Sequence, residues 1–318
     1  MTTSPYRLLS RVPPIWLILI ACTAFFSVFA DSFFDIGNFT NILIQTSTIG
    51  LIALGMTVVM INGNIDLSVG AVVALAASLA VGLQADLGIW PAVLVGLGAG
   101  MALGFLNGMI VWKTGVDAFI VTLGAMMGVR GLVFLYTGEQ SFFSMDFAYA
   151  DFGMSSVAGV PTLAWIFLAL TLVMHVVMTR TSHGRNAYAV GGNREAAENA
   201  GIRVGWHMVA NFVVVGFFAA LAGITLSTQM GASTPNLGTN YELWVITAVV
   251  LGGTKLTGGA GTILGTLGGV LTIGVLRNGM NLMQVPAFYV LVVMGVILIA
   301  VLLVDARINR REAGEVKL

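Results

Sequence analysis

Charge is what this chain has least of. Of its 318 residues only 9% are charged, with 14 basic against 14 acidic side chains and a formal net charge of +0. A soluble domain carries about a quarter charged residues, and a nucleic-acid partner calls for a basic excess, so the composition speaks against both classes. Cysteine occurs once, at Cys22, which rules out an internal disulfide. The three histidines, His175, His183 and His207, fall at no metal-ligand spacing. Lysine is confined to Lys113, Lys255 and Lys317. None completes the Gly-x-x-x-x-Gly-Lys-Ser/Thr loop that cradles nucleotide phosphates, and Lys255 follows Gly252-Gly253-Thr254 without the adjacent glycine. No Ser-His-Asp set or carboxylate pair stands out. The expectation is a chain without catalytic residues, metal or cofactor of its own, so that any ATP-driven step depends on another chain.

Apolar residues supply what charge does not. They make up 58% of the chain, with a mean hydropathy of +0.96. A membrane-spanning helix takes about 20 such residues, and ten runs approach that length: 14-31, 40-61, 68-86, 90-112, 118-137, 161-179, 207-230, 241-252, 261-277 and 287-305. This reads as an all-α polytopic membrane protein, one transmembrane domain over 1-318 with about ten helices, some short or broken. Arg7 and Arg11 before the run Ile15 to Ala30, with Val28-Phe29-Ala30 at its end, give the first segment some look of a secretory signal. Its length and the spans that follow favour a retained first helix.

An even number of spans puts both termini on one side. With that side cytoplasmic, the inner segments hold 12 of the 14 Lys and Arg residues: Arg7, Arg11, Lys113, Arg180, Arg185, Arg194, Arg203, Lys255, Arg307, Arg310, Arg311 and Lys317. The exceptions are Arg277, at an outer helix end, and Arg130, inside the fifth span. Arg130 is expected to snorkel outward or pair with Glu139. Acids gather on the outer side, at Asp31, Asp35, Asp86, Glu139, Asp146 and Asp151.

The polar island at about 180-207 separates two long apolar segments. Within it, Asn193-Arg194-Glu195-Ala196-Ala197-Glu198-Asn199-Ala200-Gly201 reads as a two-turn helix marked at both ends. Asn193 suits the N-cap, an acid sits early at Glu195 toward the positive end, and Gly201 suits the left-handed position after the last turn. A rigid polar helix between spans is shaped to be gripped by a soluble partner, although a solvated loop with one helical turn fits the same residues.

Other candidates lie in the spans. Gly96, Gly100, Gly104 and Gly108 recur every fourth residue, as do Gly261, Gly265 and Gly269. Such stripes let helix backbones approach closely. Asn62-Gly63-Asn64-Ile65-Asp66 interrupts two apolar runs, and Asp66 can cap the next helix through the amides of Ser68 and Val69. Asn62, Asp66 and Ser68 are equally candidates for a polar translocation path, since irregular backbone at membrane depth is tolerated only in protein or beside a cavity. Asn278 and Asn281 share a helix face near the outer end and suit either a capped terminus or a polyhydroxylated ligand. Thr46, Ser47, Thr57, Asn107, Thr122, Asn211, Thr247 and Thr266 are expected mostly to bridge neighbouring helices.

Four separated stretches resemble one family. They are Asn41-Ile42-Leu43 with Leu54-Gly55-Met56-Thr57 leading into Ile65-Asp66-Leu67-Ser68-Val69-Gly70; Ala118 to Leu123 with Arg130-Gly131; Gly191-Gly192-Asn193 through Gly201; and Leu251-Gly252-Gly253-Thr254 through Gly258-Gly259 and Gly261, with Asn278-Gly279 and Asn281-Leu282. The chain resembles the membrane-spanning permease subunits of bacterial ABC sugar importers of the ribose, xylose, arabinose and galactose type. It departs from them at Asn62-Gly63-Asn64, where the family more often has Gly-Gly before Ile-Asp.

The resemblance implies an inner-membrane permease in which Asn193 to Gly201 is the coupling helix, seated in a cleft of a cytoplasmic ATPase that binds ATP and Mg. It also implies a second permease subunit, identical or paralogous, an extracytoplasmic sugar-binding protein, and a monosaccharide passing along the subunit interface within membrane lipid. An ion-coupled secondary transporter using Asp66 is the competing class, and the lack of several intramembrane acids or a visible inverted repeat argues against it. Autoinducer-2, a sugar alcohol or a branched-chain amino acid remain open as cargo.

Overall fold

A computed structural model describes residues 13–315. Arg7, Arg11 and Lys317 lie outside the described residues. All ten apolar runs form helices. They are α1 (Pro14–Phe29), α2 (Ile36–Ile61), α3 (Val69–Gly82), α5 (Ile89–Thr114), α6 (Ala118–Thr137), α8 (Thr162–Arg180), α11 (Val204–Met230), α12 (Tyr241–Leu251), α13 (Ile263–Leu282) and α14 (Ala287–Glu315). Between them stand the short helices α4 (Gln84–Leu87), α7 (Phe147–Met154), α9 (Ser182–Gly192) and α10 (Arg194–Asn199).

Successive helices alternate between two ends of the bundle. One, the basic end, carries Lys113, Arg180, Arg185, Arg194, Arg203 and Lys255; the other, the acidic end, carries Asp31, Asp35, Asp86, Glu139, Asp146 and Asp151. At the acidic end β1 (Phe142–Phe143) pairs antiparallel with β4 (Ala232–Ser233), and β2 (Ser156–Val157) with β3 (Val160–Pro161).

Seven of the described helices are long and apolar enough to cross a membrane. Three of them, α2, α11 and α13, are mostly buried, while α5, α6, α8 and α14 expose most of their apolar surface. A helix apolar all round belongs either in such a core or against lipid. The small residues decide how closely the core packs. Gly96 of α5 faces the Ala76 carbonyl of α3, and Gly100, Gly104 and Gly108 face Gly216, Phe212 and Val209 of α11, with no room for a Cβ at any of them. Gly265 and Gly269 of α13 face the carbonyls of Gly252 and Ala248 in the same way. Gly261 departs from that stripe. It precedes α13 in an extended loop at φ +149°, against Thr254, because the helix starts only at Ile263, capped by the Thr262 hydroxyl.

The polar residues of the spans also differ from expectation. Thr46, Thr57, Thr122 and Thr247 donate to the carbonyl four residues earlier in their own helix, and Ser47 does the same. That acceptor is always within reach of a helical hydroxyl. Two exceptions cross between helices: the Thr57 and Thr266 hydroxyls meet at 2.7 Å, and Asn107 reaches Ser68.

Three apolar helices are shorter than the seven, α1, α3 and α12. At ~1.5 Å per residue they are about 24, 21 and 16 Å long, against a hydrocarbon layer of about 30 Å. For α3 and α12 the chain before the helix is largely irregular, residues 62-68 and 231-240.

Candidate translocation and coupling sites

The coupling candidate is held by local rules. The Asn193 side-chain oxygen accepts from the Ala196 amide at 2.9 Å. At the other end, Gly201 stands at φ +85°. Its amide donates to the Glu198 carbonyl, and the Ile202 amide reaches back to Ala197 at 3.0 Å. This six-to-one bond through a left-handed glycine closes a Schellman end. Ala197 alone faces inward, packed with Val190, Val204 and Ile202. Arg194, Glu195, Ala196 and Glu198 are exposed, and Arg194 pairs with Glu198 one turn on, at 3.6 Å.

The island holds a second helix that the sequence did not reveal as such. α9 buries Gly184, Ala187 and Val190 and sets the angle of α10. Its spacing of small and apolar residues at three and four was the available signal. Burial holds the His183 imidazole below its usual range, with its ring against His207 at 4.6 Å. Burial pushes the Tyr188 phenol up, and its hydroxyl donates to the Gly261 carbonyl at 2.8 Å.

The ends of α2 and α9 meet the loop between α12 and α13 beside α10. The Gly259 amide donates to the Ile61 carbonyl at 2.8 Å. Gly191 lies flat against Ile61 and Gly259, and Gly258 against Gly63. A cavity of about 220 Å³ opens beside this junction, lined by Asn62, Asn64, Asn193, Arg194 and Thr257 among others. The Asn62 side-chain nitrogen is buried without a hydrogen-bond partner among the described residues.

Asp66 is 2% exposed. Its Oδ1 accepts from the Ser68 amide at 2.8 Å and from the Ser68 hydroxyl at 2.5 Å, and Asn107 Nδ2 donates to the same hydroxyl at 3.0 Å. The carboxylate therefore ties the start of α3 to α5, with Ser68 rather than Val69 as its partner. Asn278 and Asn281 are not brought together as a site. Asn278 is buried and donates to Asn38 Oδ1 of α2 at 2.7 Å, whereas Asn281 is exposed. An Asn278→Ala variant should accordingly lose about 1–3 kcal/mol of stability, the cost of stranding a buried partner. Asn281→Ala should lose almost none, and thermal unfolding in detergent distinguishes the two.

Arg130 neither snorkels nor pairs with Glu139. Its guanidinium donates to the carbonyls of Pro235 and Leu237 at 2.8 and 2.9 Å, and Glu242 supplies a counter-charge. The reason is the irregular segment 231-240, whose carbonyls have no helix to satisfy them.

A bundle of apolar helices with short, interrupted members and a rigid polar helix at its basic end defines a multi-pass membrane permease. The family described as "Branched-chain amino acid transport system / permease component" matches residues 38–302. The ribose import permease protein of Bacillus subtilis is 39% identical over 285 residues, covering 88% of each chain. The D-allose transport system permease protein of Escherichia coli is 35% identical, covering 93% of this chain and 91% of its own. The L-arabinose transport system permease protein of the same species is 34% identical, covering 91% and 87%. No solved structure matches. The chain belongs to this permease family, and its role is transport as the membrane component of an ABC importer.

Proposed function

We propose that this permease forms the path for a monosaccharide across a bacterial cytoplasmic membrane and takes its energy from a separate ATPase that binds ATP and Mg. The observation that carries the reading is α10, six residues long, capped at both ends, exposed on all but one side and standing at the basic end. The positive-inside rule places that end in the cytoplasm. A helix fixed in this way transmits displacement as a rigid body rather than by fraying. Similarity to permeases named for ribose, D-allose and L-arabinose supports a monosaccharide as cargo. A second permease subunit and an extracytoplasmic sugar-binding protein complete the importer.

ATP binding draws the ATPase domains together, the coupling helices move with them, and the spans rock between inward-open and outward-open states. Each state must differ in its contacts for the shift to occur. Purification of a tagged copy from native membranes should recover an ATPase with a nucleotide-binding loop, and uptake in the reconstituted complex should require ATP. A lone or self-paired chain that moves solute under an ion gradient would overturn the reading. Within the complex, Gly201→Pro should abolish uptake while hydrolysis continues, because proline cannot adopt the positive φ and removes the amide that closes the helix. Asn193→Ala should weaken the same helix by about 1 kcal/mol and lower uptake partially. Full uptake by Gly201→Pro would refute the coupling role.

A further inference from the structure

The segment before α12 does not stay at the surface. It leaves the acidic end at β4, which pairs with β1, and the Phe142 ring of β1 lies on Gly82 at the far end of α3. It arrives at Gly238, whose carbonyl lies on Gly70 near the start of α3. Gly70 and Gly82 are twelve residues apart on one helix, or about 18 Å. Arg130 independently places the segment well below the acidic end. It sits seven residues before the end of α6, about 10 Å below it, and holds the carbonyls of Pro235 and Leu237. The chain thus enters from the acidic end as irregular backbone, turns near mid-bundle, and continues to the basic end as α12.

Along this descent Asn236 and Thr239 are exposed, Asn240 is partly exposed, and Leu243 is 43% exposed on the first turn of α12. Polar side chains and irregular backbone at such depth cannot face hydrocarbon. The remaining choices are a water-filled path or a tight subunit contact. Asn236 and Asn240 present amides that both donate and accept, and neither side chain has a partner among the described residues. Trp244, one turn beyond Asn240, is fixed with Arg277 stacked 3.9 Å over its ring and Tyr241 at 5.2 Å.

We propose that Asn236, Thr239 and Asn240 form the wall of the path that the sugar touches near the membrane midplane, exchanging hydrogen bonds with its hydroxyls. This deepens the permease reading and rests on it for the identity of the cargo. Paired amide and hydroxyl groups suit a neutral polyol, which needs both donors and acceptors, better than they suit a charged amino acid.

The test uses the assembled importer in lipid, in a Cys22→Ser background. Asn236→Cys, Thr239→Cys and Asn240→Cys are exposed to a charged, membrane-impermeant thiol reagent, with and without ATP, beside Met145→Cys as the water-exposed control and Leu135→Cys as the lipid-facing one. At least one of the three should react about tenfold faster than Leu135→Cys in one nucleotide state, and D-ribose, D-allose or L-arabinose, whichever is transported, should slow that reaction. In the unlabelled protein, Asn236→Ala with Asn240→Ala should cut uptake about tenfold while hydrolysis persists. Labelling no faster than Leu135→Cys in both states, or fast labelling with uptake unaffected by modification or by the alanine pair, would overturn the proposal. Labelling is read without reference to the energy source, so failure of the ATP requirement would reject the importer reading separately.

Discussion

Replacing Gly104 with leucine will prevent the bundle from accumulating in folded form, and replacing Gly98 with leucine six residues earlier on the same helix will not. A side chain at Gly104 would occupy the space of the Phe212 carbonyl and the Val213 backbone, whereas Gly98 opens onto empty space. Where the obstacle is a flexible side chain, a rotamer change relieves it; backbone atoms of a buried helix have no such escape. Overpacking a core costs about 1–3 kcal/mol even where side chains can shift, and here α5 and α11 must separate. Separation would also open the neighbouring approach of Gly100 to Gly216, so the loss should reach at least about 3 kcal/mol. Thermal unfolding of the purified protein and its yield from membranes provide the measurement. Equal midpoints for Gly104→Leu and the unsubstituted protein would show that the stripe does not set the spacing of the helices.

What could be read from the sequence was what local rules decide. Ten apolar runs became ten helices because lipid enforces helical hydrogen bonding within each segment. Asn193 and Gly201 were legible as caps because a cap engages residues only two to five positions away. The features that escaped depend on partners far along the chain. Asn278 and Asn281 share a helix face, but it is Asn38, 240 residues away, that claims Asn278. Arg130 found its acceptors 105 and 107 residues away. Thr234-Pro235-Asn236-Leu237-Gly238-Thr239-Asn240 has the composition of a surface turn, and only packing against α3 and α6 carries it into the bundle. The shortness of the run 241-252 was the one sequence signal for that descent. An apolar helix of that length cannot reach across a membrane by itself.

The same dependence on distant partners gives Gly191→Ala its expected effect, a separation of ATP hydrolysis from uptake. In the proposed importer α10 meets the ATPase, whereas the short helices α3 and α12 begin or end at loops that pack against α9. Gly191 joins them: a methyl group there would strike the Ile61 carbonyl, at the end of α2, and crowd the Gly259 amide that this carbonyl accepts. Ile61 leads into residues 62-68 and so to α3, while Gly259 belongs to the loop between α12 and α13. A displacement delivered at α10 can pass through this junction to both short helices only while the three backbones stay in contact. Coupling between sites commonly amounts to about 1–3 kcal/mol, or roughly 5- to 150-fold, and uptake per ATP hydrolysed should fall within that range in Gly191→Ala. Gly192→Ala is the control, since its added methyl meets nothing while the residue is adjacent in sequence. Hydrolysis must persist in both variants for the ratio to report coupling rather than lost assembly. Equal ratios in Gly191→Ala, Gly192→Ala and the unsubstituted importer would mean that motion reaches α3 and α12 by some route other than this junction.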